Sequence, residues 1–274
     1  MLKEFLKNKY NKLNLKEFLE FAKNIANTAG DIMRHYFNSN NGSYYKNDNT
    51  IVTKADNEIN QYLIDQVKKA YPTHSVDGEE QQFGKSKFVW VCDPIDGTAM
   101  YARNIPTAVF SLAFVVDGVP VVGVILDPWT NTLYSAIKGN GAFANDKKII
   151  VNDTKFGDKS SVSHFDNVSY FEYDILDLIK NFTKETYFTS LGSIARAGMC
   201  VADGGYTLAI FPGTYRKNCD VAAIKVIVEE AGGKVTDLFG NEQRYDQSIN
   251  GAIISNGVVH DEIVKYTKKY ITKK

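Results

Sequence analysis

This chain has little from which to build disulfides, zinc centres or membrane spans. Only three of its 274 residues are cysteine (Cys92, Cys200 and Cys219). The number is odd and no CxxC pair occurs, so the thiols read as reduced, as in a cytosolic protein. The glycosylation-type triplets at Asn41, Asn152, Asn167 and Asn181 are then chance matches. Four histidines, His35, His74, His164 and His260, are scattered without a His-x-x-x-His pair, which argues against a zinc hydrolase. The longest uncharged apolar runs, Ala108–Val116 and Val119–Leu126, have the length of strands and are too short to cross a bilayer. Near the N-terminus Lys and Glu interrupt Leu and Phe, leaving no apolar core for an export signal. An excess of either charge is also missing, since 32 Lys+Arg balance 32 Asp+Glu. A nucleic-acid binder usually carries a basic excess, and a disordered acidic tail the opposite. No repeat of 20–50 residues is visible, which excludes a solenoid.

What remains is an ordinary globular composition, 44% apolar and 12% aromatic, in a chain long enough for one large domain or two moderate ones. Apolar residues at steps of three and four predict a helix over 15–37, with Asn14 and Glu17 as a capping pair. A second helix is expected from Asp56 to Ala70, ending before Pro72. Phe88–Cys92 reads as a buried strand. Val109–Val116, the Asp117-Gly118 turn and Val119–Leu126 read as a hairpin, with a third strand near Leu133–Ala136. Gly139, Gly141 and Asn145-Asp146 are expected to end that meander. Beyond residue 152 helices and strands alternate: helix 173–182, strand 187–189, helix 193–202, strand 206–211, helix 221–231, strands 234–237 and 252–255, helix 261–270. Antiparallel strands followed by alternation predict two subdomains, 1–151 and 152–274.

Three segments imitate known sites and fail on detail. Gly78 to Ser86 ends in Gly-Lys-Ser, but five residues separate its glycines instead of four, and it precedes a strand that a phosphate loop would follow. Cys92 has Thr98 where a cysteine phosphatase needs Arg. Gly139-Asn140-Gly141 is read as a turn.

The segment that carries chemistry is Trp90-Val91-Cys92-Asp93-Pro94-Ile95-Asp96-Gly97-Thr98. A buried strand runs into two carboxylates three residues apart, and Pro94 stiffens the turn between them. Gly97 admits backbone geometry that other residues resist, and the amides of Gly97 and Thr98 can face an anion. Two carboxylates so placed can hold two divalent cations about 3.5–4 Å apart around one phosphate. Magnesium suits such a site because it takes few carboxylates and completes its shell with water and substrate oxygens. A bare Asp-Gly turn would carry no such meaning. Here, however, the string is joined by Val76-Asp77-Gly78-Glu79-Glu80, by Thr53-Lys54-Ala55-Asp56, and by Asn218-Cys219-Asp220-Val221-Ala222-Ala223 running to Glu229-Glu230-Ala231-Gly232-Gly233. Taken singly, Asp220 reads equally well as a helix cap, and Glu79 or Glu80 as a solvated acid.

Together these four ordered stretches resemble the inositol monophosphatase family, the lithium-sensitive, magnesium-dependent phosphatases that include sugar bisphosphatases and 3′-nucleotidases. The likeness extends with lower specificity from about residue 15 to 260. It implies a layered αβαβα sandwich of mixed α+β and α/β character, and a homodimer. It implies two or three Mg2+ held by Glu79, Asp93, the carbonyl of Ile95, Asp96 and Asp220, with Asp93 bridging. Gly97 and Thr98 would bind phosphate. Asp56 and Thr98, with Glu79, would serve the attacking water. Lys46 is a looser match to a lysine in the family's metal-site loop, with a one-residue gap.

The sequence also departs from the inositol-specific pattern. Ala99-Met100-Tyr101 stands where Thr-Asn-Phe is common, and Cys219 stands where Trp is usual. Phe211–Asn218 contains no acid where a substrate-contacting Glu is expected, which argues against myo-inositol-1-phosphate as the best substrate. Arg216 and Lys217 either meet a second anionic group there or form a solvated loop pair. The expected activity is hydrolysis of an inositol or sugar phosphate. Fructose-1,6-bisphosphate, phosphoadenosine phosphate and histidinol phosphate are alternatives, and a non-catalytic regulatory scaffold is the competing class. The intact acid set favours the enzyme. The neutral charge gives no support to nucleic-acid binding, and no membrane partner is expected. The acids are expected to be balanced by bound cations and not by lysines.

Overall fold

The computed structural model describes residues 13–38, 42–46, 51–166 and 172–274. In chain order the elements are α1 (Leu15–Tyr36), β1 (Tyr44–Tyr45), β2 (Ile51–Val52), α2 (Lys54–Ala70), β3 (Ser75–Gly78), β4 (Gln82–Phe83), β5 (Phe88–Asp96), α3 (Thr98–Tyr101), β6 (Val109–Val116), β7 (Val119–Asp127), β8 (Thr132–Ile137), β9 (Ala142–Ala144) and β10 (Lys147–Ile149). There follow β11 (Val162–Phe165), β12 (Tyr173–Asp174), α4 (Leu176–Phe182), β13 (Tyr187–Thr189), α5 (Ile194–Ala202), β14 (Leu208–Phe211), α6 (Asn218–Glu230), β15 (Lys234–Thr236), β16 (Ala252–Ser255), α7 (His260–Tyr270) and β17 (Thr272–Lys273).

Two sheets and three helical layers alternate. The larger sheet has eight strands in the order β10-β9-β8-β7-β6-β5-β3-β4, and the smaller has five in the order β13-β11-β14-β16-β15. Strand periodicity explains the layering. On β5 and β6, Trp90, Cys92, Phe110, Leu112 and Phe114 point to a core shared with α1 and α2. The intervening Val89, Val91, Val109, Ala113 and Val115 point to a second core, shared with α5, α6 and the inner face of the smaller sheet. The outer face of that sheet packs Phe165, Leu208, Ile210 and Ile253 against α4 and α7. Both faces of β5–β7 are therefore buried, which is why those strands read as continuous apolar runs rather than alternating ones. This is the expected αβαβα sandwich. At the middle layer α6 lies close on β7: a Cβ at Gly123 would stand 2.8 Å from the Ala223 carbonyl oxygen.

Several expected boundaries move. Residues 173–182 are not one helix, because Tyr173 and Asp174 form β12 against β17 and α4 starts at Leu176. Here the strand pairing overrides the helical periodicity. The meander does not end at Gly141 but continues through β9 and β10, and Asn145-Asp146 is the turn between them, both with positive φ. Residues 75–78, for which the sequence suggests no strand, form β3, which pairs in parallel with β5.

Two buried histidines give the fold an acid limit. Among the described residues neither ring nitrogen of His164 has a hydrogen-bond partner, and burial lowers its pKa to about 4. Burial, with the Lys234 charge, brings His260 to about 4 as well, although Thr236 Oγ1 and Ser255 Oγ lie 2.9 and 2.8 Å from its nitrogens. In the unfolded chain imidazole takes its proton near 6.5. The unfolded form therefore binds more protons between pH 6.5 and 4, and stability falls as pH falls through that window. His164→Leu is expected to flatten this fall by about 2–3 kcal/mol between pH 7 and 4.5. Urea unfolding at both pH values checks it, and an unchanged pH dependence would refute it.

Candidate active site

The acids are brought together by strand geometry. Because β3 and β5 are parallel, their C-terminal ends lie side by side, with Gly78 opposite Cys92. The chain leaving β3 is fastened to β5 by the Glu79 amide donating to Cys92 O at 3.0 Å. Asn60 on α2 shapes the next turn, its Oδ1 accepting from the amides of Glu80 and Gln81. On β5, residues three apart should face opposite sides of the sheet. A bulge corrects this: Asp93 pairs with Ser111 and Asp96 with Val109, so three steps on β5 match two on β6 and both carboxylates turn to one face. Asp93 Oδ1 accepts the Ile95 amide at 3.0 Å and holds the bulge in shape.

Asp220 comes from the far half of the chain, in the first turn of α6. It is not the cap; Lys217 holds that position and makes no side-chain capping bond. Asp96 is tied to α5, accepting from Ser193 Oγ and from the Ala195 amide at 2.6 Å. The same Ser193 oxygen caps α5 by accepting from the Arg196 amide. Carboxylate oxygens of Asp93, Asp96 and Asp220, all three buried, lie within 4.8 Å of one another. Burial, then the charges of Glu79, Asp220 and Asp96, push Asp93 well above the usual carboxylate range. Burial and the Asp220 and Asp166 charges do the same to Asp96. Burial raises Asp220 to about 6, with Lys217 opposing. A protein gains nothing from three such carboxylates without a counter-charge. The donor set is all oxygen, which fits a hard divalent cation, and these residues could hold one.

Gly97 follows with φ +96°, and a Cβ there would come within 2.9 Å of Gly192 O. Thr98 Oγ1 lies 2.8 Å from Ile95 O and 3.4 Å from Asp56 Oδ1, so it can donate to either. Asp56 forms a capping box with Thr53 at the start of α2, accepting from the Thr53 amide at 2.8 Å. Burial, opposed by those hydrogen bonds, raises Asp56 to about 7.

Glu79, Asp93, Ile95, Asp96, Gly97, Thr98, Lys217 and Asp220 all line one cavity of about 480 Å³, and Asp56 stands behind Thr98. Lys46 reaches Glu80 Oε1 at 2.5 Å rather than the aspartates. The two loop cations separate. Arg216 lines a different, polar cavity of about 300 Å³ and donates to the carbonyls of Gly78 and Glu79. Lys217 instead enters the acid set, 2.9 Å from Glu79 Oε1 and 3.3 Å from Asp220 Oδ2. Burial alone would raise Glu79, but the Lys217 and Lys46 charges outweigh it and hold that carboxyl below its ordinary range. The expectation that no lysine balances the acids is thus corrected: Lys217 does so in part.

Several lining residues were not picked out from the sequence. Tyr45, Met100, Arg103, Asp166, Ser190 and Phe211 also line the cavity, and the Asp166 charge acts on Asp96. They come from five separate segments, with no spacing to link them.

The whole chain compares closely with known proteins. The family model described as the inositol monophosphatase family matches residues 14–272. A Thermotoga maritima protein named fructose-1,6-bisphosphatase/inositol-1-monophosphatase is 32% identical over 259 residues, covering 92% of this chain and 96% of that protein. One of the same name from Aquifex aeolicus is 30% identical, with 94% and 98% covered. A solved Thermotoga maritima IMPase superposes with a TM-score of 0.83 at 29% identity, covering 93% of this chain and 98% of that one. This chain belongs to the inositol monophosphatase family, a family of phosphatases that are generally metal-dependent. Among the described residues no helix is long and apolar enough to cross a membrane.

Proposed function

We propose that the chain is a magnesium-dependent phosphomonoesterase that hydrolyses an inositol phosphate or a sugar phosphate by direct attack of water. The observation that carries this reading is the trio Asp93, Asp96 and Asp220, their oxygens within 4.8 Å in a cavity that Thr98 and Glu79 also line. Glu79, Asp93, Ile95 O, Asp96 and Asp220 are the residues that would hold Mg2+. Bound there, it supplies an acidified water and charge neutralisation at the phosphoryl oxygens. The chain's own groups do the rest. The amides of Gly97 and Thr98 bind the phosphate. Thr98 Oγ1 orients the water by accepting a hydrogen bond from it, with its own proton turned from Ile95 O to Asp56 Oδ1, 3.4 Å away. Asp56, poised near 7, is matched in basicity to take a proton at neutral pH through Thr98. A cytoplasmic homodimer completes the reading.

The names of the Thermotoga and Aquifex relatives favour a second substrate class, a sugar bisphosphate, on the same centre. Phosphate release from inositol phosphates, fructose-1,6-bisphosphate, phosphoadenosine phosphate and histidinol phosphate tests both. Turnover is expected only with Mg2+, with loss in chelator and inhibition by lithium. Turnover undiminished in chelator, or none with any substrate, would refute the proposal.

A further inference from the structure

The acid set contains an ammonium whose position overlaps the work of a metal. We infer that Lys217 is a resident counter-ion that competes with divalent cations for Glu79 and Asp220, and so sets the cation concentration at which the centre fills. The inference rests on reading that set as a cation centre.

Three observations support it. Lys217 Nζ lies 2.9 Å from Glu79 Oε1 and 3.3 Å from Asp220 Oδ2, spanning carboxylates from the two halves of the chain. The three acids whose oxygens converge within 4.8 Å are Asp93, Asp96 and Asp220; Glu79, held on Lys217, is not among them. A cation drawing on Glu79 Oε1 or Asp220 Oδ2 therefore competes with the ammonium for that oxygen. The side chain has somewhere to go, since it is 23% exposed and carries no capping duty on α6.

Lys217 is also not what holds the two loops together. Arg216 donates to Gly78 O at 3.3 Å and to Glu79 O at 3.2 Å. Asn218 Nδ2 donates to Asp77 Oδ2 at 2.8 Å and to Tyr245 O at 3.1 Å. The Arg216 amide is held by Ser248 Oγ at 3.2 Å. The residues on either side of Lys217 thus fasten the start of α6 to the end of β3. Removing the charge at 217 should leave Glu79 and Asp220 in place and simply free them. This fixes the sign of the effect: the ammonium lowers affinity for a divalent cation, both by occupying ligand oxygens and by repulsion.

Titration calorimetry of Mg2+ and Mn2+ into the metal-free full chain tests this without reference to turnover. Lys217→Met, which keeps the length and loses the charge, is expected to lower the Kd by about tenfold or more. Lys217→Arg should bind like the parent. The metal-free melting temperature of Lys217→Met should fall, since Glu79 and Asp220 lose their partner, and its rise on adding cation should exceed that of the parent. Lys217→Gln should shift the Kd the same way and covers the case in which the Met variant folds poorly. Equal or weaker cation binding by the uncharged variants would overturn the inference. A parent chain that binds no divalent cation at all would instead overturn the reading of the centre.

Discussion

Asp93→Asn is expected to lower magnesium-dependent phosphate release by at least about 10²–10³-fold, the scale of losing one fixed stabilising group in a buried site, while making the metal-free protein more stable. The two effects have one cause. Asp93 is buried with Glu79, Asp96 and Asp220 around it, and its carboxyl is held well above the usual range. The unfolded chain gives up that proton first, so above the ordinary carboxylate range the native state alone carries the cost of ionising it. Asparagine removes that cost. Its Oδ1 can still accept the Ile95 amide that shapes the bulge, so the backbone that aims Asp96 should persist. What would be lost, on the proposed reading, is a charged ligand of the cation centre. Initial rates at saturating Mg2+, and melting temperatures in chelator and in Mg2+, measure both sides. The variant should melt higher than the parent in chelator and gain less from the cation. Near-parental turnover would remove Asp93 from the metal ligands.

The second large effect is expected at Asp56 and Thr98. Asp56→Asn and Thr98→Ala should each reduce kcat by about 10²–10⁴-fold, the usual contribution of a positioned proton acceptor. The double variant should be little worse than the poorer single one, because the two groups act in series on one proton. Thr98 Oγ1 lies between Ile95 O and Asp56 Oδ1, and no other group is needed to connect them. Thr98→Ser keeps the hydroxyl and should retain most of the activity. Asp56→Asn keeps an oxygen that can accept the Thr53 amide in the capping box of α2, and it removes a buried carboxyl that burial raises to about 7. Its Tm in chelator should therefore not fall, so the loss of kcat is read on a folded protein. Losses that multiply in the double variant would show two independent roles.

Most of this centre was legible because its parts obey local rules. Asp93 and Asp96 follow a buried strand, Asp56 starts a helix, and Asp220 lies in a helix's first turn, all signals within a few residues. The sandwich was legible for the same reason, since β5, β6 and β7 are apolar without interruption only if both faces are covered. The illegible parts depend on partners distant in sequence. Tyr173 and Asp174 leave their helix because residues a hundred positions later, Thr272 and Lys273, offer a strand. Arg216 and Lys217 are neighbours with like charge, yet one turns to backbone carbonyls and the other to carboxylates. That division is set by the parallel pairing of β3 with β5, which no short-range pattern announces. The wall containing Arg103, Asp166, Ser190 and Phe211 was unreadable because its residues share only a location.

Those lining residues differ in kind from the acids. The acids stand at strand ends and in first helical turns, braced by ladder hydrogen bonds and a bulge. The rest of the lining comes largely from loops and from the four-residue helix α3. Mutation can therefore reshape that lining without unsettling the acids, because loop substitutions disturb little of the core. Lineages could exchange one phosphorylated metabolite for another by drift along residues such as Met100, Arg103 and Ser190, while inheriting the hydrolytic apparatus unchanged.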